Sequence, residues 1–178
     1  MKLRANELLS FDGVMERVDQ WFFQFADPQI DKTVMQALSE VSAMLFGRTT
    51  YVEMAEAWPS RSGQMADIFN SVPKYVVSST LTDVSRWNNS HLINGKIVEE
   101  VTKLKAQPGN VLLLQGSADL FRLLAQHTLI DKYDFYIAPL VVGKGKRLFE
   151  GENQLHLKLV ETKAYKTGVI SLSYEPVK

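Results

Sequence analysis

The 178-residue sequence contains no cysteine, which excludes disulfide bonds, thiolate catalysis and cysteine-ligated metal sites. It also has no excess of either charge, because 20 Lys and Arg residues balance 20 Asp and Glu residues. A neutral chain has no net field that attracts nucleic acid or an anionic membrane. Its apolar runs are too short to cross a bilayer, and its first residues lack the apolar centre of a signal peptide. We therefore expect a cytoplasmic protein with neither a nucleic-acid nor a membrane partner.

Two further kinds of site have no signal in the sequence. The three histidines, His91, His127 and His156, are isolated and lack the spacing of metal ligands. There is no Gly-x-Ser-x-Gly segment, so the strained turn that presents a catalytic serine in hydrolases is missing. We therefore predict no metal site. The length and the 46% hydrophobic content suit one sizeable core, and we predict a single domain of residues 1–178.

Segments typical of strands alternate with segments typical of helices along most of the chain. The first strand is predicted at 7–11, and Asp27-Pro28 has the residues preferred at a helix start. Thr50 and Glu53 have the spacing of a capping box, and Ser117 is a possible cap for the next helix. The last two strands, on either side of Gly168, read as a hairpin. This pattern predicts an α/β fold with a mixed sheet and helices on both faces.

Three predicted strands end in glycine or hydroxyl-bearing residues: Gly47–Thr50, Ser78–Thr80 and Gly116–Ser117. Ligands of open α/β sheets collect at the carboxyl ends of strands, where helix N-termini offer free N–H groups to phosphate. Arg48 adds a charged donor suited to a second phosphate. Ordinary capping and turn formation also explain each segment taken alone. Together, the three strand ends predict a site that surrounds one dinucleotide.

Two carboxylates are candidates for the substrate side of such a site. Asp12 lies in a turn at the end of a strand, and Asp31 lies in the first turn of a helix. A carboxylate at a sheet opening can hydrogen-bond an amino-pyrimidine edge or relay a proton. The alternatives are turn formation for Asp12 and favourable helix N-terminal charge for Asp31.

The chain resembles the RibD C-terminal reductase domain and its dihydrofolate reductase-like relatives. The resemblance rests on six segments in the family order: Ser10–Gly13, Leu45–Tyr51, Pro73–Leu81, Gln115–Leu120, Leu129–Asp131 and Pro139–Phe149. It covers essentially the whole chain and implies an eight-stranded, mostly parallel sheet with NADPH as cofactor. The residues it assigns to the cofactor phosphates are Gly47, Arg48, Thr49 and Thr50, with Ser78 and Ser79 at the 2′-phosphate and Gly116, Ser117, Ala118 and Asp119 at the pyrophosphate.

The resemblance also implies an activity. A family member of this kind is an NADPH-dependent reductase of a pyrimidine- or pterin-type heterocycle. It is similar to 5-amino-6-(5-phosphoribosylamino)uracil reductase of riboflavin biosynthesis or to dihydrofolate reductase, and it forms a homodimer. Asp12 and Asp31 would then be the catalytic candidates. The segment between Gly13 and Trp21 is shorter than the glycine-rich loop of many relatives. In the enzymes of this family that loop helps to cover the nicotinamide. The alternative to the reductase is a nucleotide- or flavin-binding protein without turnover, and the third hypothesis is a purely structural dimer module.

Overall fold

A computed structural model of the chain describes residues 1–150 and 154–177, so the predicted single domain includes four residues outside the described ranges. The described strands are β1 (Lys2–Ser10), β2 (Val41–Gly47), β3 (Lys74–Val77), β4 (Ser90–Ile93), β5 (Val111–Gln115), β6 (Lys132–Ala138), β7 (Leu157–Ala164) and β8 (Ile170–Pro176). They form one sheet in the order β4-β3-β2-β5-β1-β6-β8-β7. Pairing is parallel from β4 to β6, and β8 is antiparallel to both β6 and β7. The predicted mixed sheet with a C-terminal hairpin is confirmed.

The helices connect the parallel strands. They are α1 (Val18–Trp21), a 3-10 turn (Phe23–Phe25), α2 (Pro28–Leu38), α3 (Arg48–Ala57), α4 (Gln64–Ser71), α5 (Ile97–Ala106) and α6 (Ala118–Gln126). The predicted start of α2 is confirmed, because the Asp27 carboxylate accepts a hydrogen bond from the Gln29 backbone N–H at 2.8 Å. None of the described helices is long and apolar enough to cross a membrane.

Both faces of the sheet are covered, as predicted. Successive side chains of β2 belong to different hydrophobic clusters. Leu45 lies on the face packed by α5 and α6, and Met44 lies on the face packed by α3 and α4. This is the expected result for a strand, whose successive side chains point to opposite faces. A third cluster, around Trp21 and Tyr136, joins the aromatic segment before α2 to β6.

The predicted starts of β1 and α3 differ from the observed ones. β1 begins at Lys2 instead of residue 7, and its buried and less buried residues alternate along most of its length. α3 begins at Arg48, so Thr50 lies inside the helix and the predicted Thr50–Glu53 capping box is wrong. The N-cap is Gly47, and no side chain caps this helix.

Candidate functional site

Two helices begin side by side at the carboxyl ends of β2 and β5, which are neighbours in the sheet. A Cβ atom at Gly47, where α3 begins, would lie 2.0 Å from the Ser117 Oγ, where α6 begins. In the same way a Cβ at Gly116 would lie 2.6 Å from the Thr50 Oγ1. Only glycine permits this approach at both positions. The predicted segments Gly47–Thr50 and Gly116–Ser117 therefore meet in the fold.

Neither helix start is capped by a side chain. Ser117 has the N-cap position of α6, but its backbone is left-handed, with φ of 66°, and its hydroxyl makes no capping hydrogen bond. The predicted Ser117 cap is therefore wrong. At a helix N-terminus the first N–H groups have no partner within the helix, and the helix dipole favours negative charge. Two such ends in contact form a cradle suited to a dianionic group such as a pyrophosphate.

The end of β3 lies next to this cradle. The β2–β3 register pairs Gly47 with Val77, so Ser78 follows beside Arg48. Ser78 is buried, and its Oγ accepts hydrogen bonds from the N–H groups of Thr80, at 3.1 Å, and Leu81, at 3.0 Å. Its hydroxyl therefore closes a turn.

Arg48, Thr49 and Ser79 are exposed at the same edge. Among the residues that the structure describes, Arg48 forms no salt bridge. A guanidinium and two hydroxyls are therefore available to a ligand phosphate.

The first turn of α6 contains a neutralised carboxylate. Asp119 accepts a hydrogen bond from Arg122 at 2.5 Å and another from Lys146. These hydrogen bonds, first that from Lys146, hold the pKa of Asp119 below its usual value. Ala118, the first residue of the helix, is buried. Asp119 thus lies in the first turn of α6 with its charge compensated by two cations, and its predicted role at the pyrophosphate remains a prediction.

The Asp12 carboxylate accepts hydrogen bonds from its own chain on both oxygens. Oδ1 accepts from the Ser10 hydroxyl at 2.7 Å and the Val142 N–H at 3.0 Å, and Oδ2 accepts from the Gly143 N–H at 2.9 Å. Arg147 lies 3.3 Å from Oδ2. The hydrogen bond from Ser10, followed by that from Val142, holds the pKa of Asp12 well below its usual range. A carboxylate has about four acceptor positions, so these partners engage all of them. The carboxylate of Asp12 therefore holds the loop of residues 139–147 against the turn that contains Asp12.

That loop joins the Asp12 turn to the start of α6. The Lys146 N–H donates to the Glu16 carboxylate at 3.1 Å, and the Lys146 carbonyl accepts from Met15 at 2.9 Å. The Lys146 side chain reaches Asp119 on α6. No local pattern in the sequence indicates this pairing with Asp119, because a basic residue in a glycine-bearing loop is usually solvated.

Asp31 lies in the first turn of α2. The buried side of α2 includes Ile30 and Leu38, and Asp31 is exposed. In the described ranges, no hydrogen bond or salt bridge connects Asp31 to Asp12 or to the cradle. The predicted role of Asp31 remains a prediction.

We expect Asp12→Asn to loosen the loop of residues 139–147, because an amide NH₂ replaces one acceptor that faces N–H donors. The melting temperature should fall, and hydrogen exchange at Val142 and Gly143 should accelerate. The matched control is Asp31→Asn, which changes an exposed carboxylate outside this loop and should leave hydrogen exchange at Val142 and Gly143 unchanged. Wild-type exchange in the Asp12 variant would contradict the anchoring role.

Sequence analysis missed a buried carboxyl group, Glu7, at the end of β1 nearest the cradle. Its side chain is 2% exposed, and Oε1 has no hydrogen-bond partner among the described residues. Burial raises the pKa of Glu7 to about 8, and a hydrogen bond from the Gly116 backbone offsets this rise only in part. The signal that could have found it is its position: β1 places Glu7 in phase with the buried residues Ala5 and Leu9.

A polar cavity of about 350 Å³ lies away from the cradle, between α2 and the strands β6, β7 and β8. Several of its charges pair with one another: Arg4 with Glu40 at 2.6 Å and with Asp134 at 3.6 Å, and Lys132 with Asp134 at 3.4 Å. This internal compensation leaves little free charge for a ligand. The cradle between α3 and α6 is therefore the better candidate.

Comparison with known proteins identifies the family of the chain. The chain matches the RibD C-terminal domain family over residues 1–171. It is 32% identical over 144 residues to the uncharacterised protein YyaP of Bacillus subtilis, covering 77% of this chain and 75% of that protein. A protein assigned to riboflavin biosynthesis in Shewanella sp. PV-4 has a crystal structure with a TM-score of 0.82, 22% identity and full coverage of both chains.

The fold also matches dihydrofolate reductase from Enterococcus faecalis, solved with NADP(H), with a TM-score of 0.69 and 14% identity over 99% of this chain and 97% of that one. At this identity the likeness shows the fold alone. Because the family match spans nearly all of the sequence, the chain belongs to the RibD C-terminal domain family.

Proposed function

We propose that this protein is an NADPH-dependent reductase of a small pyrimidine- or pterin-type heterocycle. The observation that supports this most directly is the contact between two uncapped helix N-termini at Gly47 and Ser117. Family membership supports the reaction class, as does the likeness in fold to a diaminohydroxyphosphoribosylaminopyrimidine deaminase/5-amino-6-(5-phosphoribosylamino)uracil reductase from Thermotoga maritima, of which this chain covers 56%.

The residues present fit an NADPH molecule. The N-termini of α3 and α6 suit its pyrophosphate, and Arg48 with Ser79 suits its 2′-phosphate. Gly47 and Gly116 leave the space that a side chain would fill. When bound, NADPH supplies the hydride. The residues of this protein bind the phosphates and orient the cofactor towards the substrate.

We expect Arg48→Ala to remove most of the preference for NADPH over NADH, because only NADPH has the extra phosphate. The loss should be about 1.5–3 kcal/mol if the charged contact is direct. Titration of both cofactors into the wild type and the variant, followed by protein fluorescence, measures it. A control is Lys103→Ala, which removes an exposed cation on α5. Equal affinity of the wild type for both cofactors would contradict the assignment.

The reductase proposal itself is tested by turnover. Oxidation of NADPH in the presence of a panel of pyrimidines and pterins should identify a substrate. A second candidate, nucleotide or flavin binding without turnover, is favoured by one observation: the acceptor positions of Asp12 are engaged by its own chain. Tight NADPH binding without oxidation across the panel would favour this second function.

We also propose a homodimer, formed along the edge strand β7. Most residues of this strand are exposed, including Leu159 at 48% and Val160 at 52%. An open strand edge with apolar side chains favours pairing with another chain. Light scattering at micromolar concentration should give the dimer mass, and Val160→Asp should shift it towards the monomer. Val141→Asp, at another exposed valine in the loop after β6, is the control. A wild-type monomer would refute the proposal.

A further inference from the structure

Glu7 lies in the core and at the edge of the cradle at the same time. The β1–β5 register pairs Asn6 with Gln115, so the next residues along the two strands are Glu7 and Gly116. On the other side of β1, Glu7 pairs with Phe135 of β6. The Glu7 side chain therefore extends from the sheet face that α5 and α6 cover, in phase with Ala5 and Leu9.

Glu7 forms no salt bridge with any residue that the structure describes. The titratable side chains of the cluster packed on this face are the tyrosines Tyr75, Tyr133 and Tyr174. Tyr133 is fully buried, and burial raises its pKa to about 12. An ionised carboxylate in this position would have neither water nor an ion-pair partner, which is strongly unfavourable.

The charged side chains at the start of α6 are engaged with one another. Asp119 is paired with Arg122 and Lys146, and Arg122 also lies 3.3 Å from Glu150. The β1–β5 register places Gly116 beside Glu7, and the Gly116 backbone N–H lowers the pKa of Glu7 by less than burial raises it. Near neutral pH the carboxyl is therefore the uncharged acid.

Gly116 connects Glu7 to the cradle. It is in the left-handed conformation, with φ of 67°, and it contacts Thr50 on α3. The following residue, Ser117, contacts Gly47. A change in the interaction between Glu7 and the Gly116 N–H is therefore transmitted directly to the turn that joins the two helix N-termini.

We infer that the uncharged Glu7 carboxyl is a positioning residue that holds the Gly116–Ser117 turn ready for the nucleotide phosphates. This inference rests on the proposed nucleotide site. A negative charge on Glu7 would oppose the approach of anionic phosphates beside Gly116. Bound nucleotide and the Glu7 proton therefore stabilise each other, since such coupling is reciprocal.

The test is the pH dependence of NADPH affinity between about pH 7 and pH 9.5, a range around the shifted pKa of Glu7. The dissociation constant of the wild type should increase above about pH 8, by up to about tenfold per pH unit. Glu7→Gln keeps the shape and removes the ionisation, so its affinity should change much less over the same range. Glu99→Gln, at an exposed carboxylate on α5, should follow the wild type.

A second measurement uses the wild type alone and so does not depend on the folding of the variant. Calorimetric titration of NADPH at about pH 8, in two buffers of different ionisation enthalpy, should show proton uptake on binding. Binding without proton uptake, or with the same pH profile in Glu7→Gln, would overturn the inference and leave the nucleotide site intact. Failure of the wild type to bind NADPH at any pH would instead overturn the proposed function.

Discussion

Replacement of Gly47 by alanine is expected to destabilise the protein by about 2–3 kcal/mol and to abolish NADPH binding. The backbone at Gly47 is extended, with φ of −81° and ψ of 167°, so alanine introduces no backbone strain there. The cost is steric, because the new methyl group would lie 2.0 Å from the Ser117 Oγ and 2.6 Å from its Cβ. Relief of this overlap separates the two helix N-termini.

A compensating variant isolates this contact. Ser117→Gly removes both overlapping atoms, and the left-handed φ of 66° at this position suits glycine. The double variant with Gly47→Ala should therefore recover most of the lost stability, with a coupling energy above about 1 kcal/mol in a double-mutant cycle. Chemical denaturation measures all four proteins. Additive losses would show that the two residues do not oppose each other.

Lys74→Met is expected to cost roughly 3 kcal/mol at neutral pH, because it removes three hydrogen bonds from a charged donor at about 1 kcal/mol or more each. Lys74, the first residue of β3, is fully buried. Its ammonium donates to the carbonyls of Asn70, Val72 and Asn88 at 3.2, 2.9 and 2.9 Å, and it lies 4.8 Å from the Trp87 ring centroid. It thereby caps the C-terminus of α4 and fixes the segment before β4.

Urea denaturation measures the loss, with Lys103→Met as the control because Lys103 is exposed on α5. The control should change stability by less than about 0.5 kcal/mol. A similar result for Lys74→Met would show that the three carbonyls find other partners.

The stability of the wild type should also respond to pH through Lys74. Burial lowers the pKa of Lys74 from 10.5 to about 8. Between these values the unfolded chain binds more protons at this residue than the folded chain does. The free energy of unfolding should therefore increase with pH across this window, relative to Lys74→Met. Denaturation of both proteins at about pH 8 and pH 10 tests the sign, and parallel changes in the two proteins would contradict it.

Local chemistry was sufficient to predict the elements whose signals are local. Asp27-Pro28 marks the start of α2 because the cap and the first-turn proline act within a few residues. The helix at Gln64–Ser71 was not predicted, because it begins after Gly63 without a capping side chain. Thr50 and Ser117 were misread for a related reason: the contacts that set both helix starts come from another part of the chain.

The candidate site shows the same contrast between local signals and contacts with distant residues. The three strand ends were identified because hydroxyl and glycine residues after apolar runs are visible in the sequence. The roles of Asp12 and Glu7 depend on distant residues, since Val142 and Gly143 contact the first and Gly116 contacts the second. No local pattern indicates such partners. A glutamate in an otherwise apolar strand is usually assigned to the exposed face of that strand.

The position of β1 in the sheet has a consequence for biosynthesis. β1 lies between β5 and β6, and it pairs Lys2 with Val111 and Arg4 with Lys132. The ribosome therefore releases this central strand long before either of its neighbours exists. By contrast, the pairs β2–β3 and β3–β4 join strands that are consecutive in the sequence and can associate earlier. The alternating apolar side chains of β1 thus remain exposed until β5 and β6 have been made, and the earliest strand of this sheet is among the last to be enclosed.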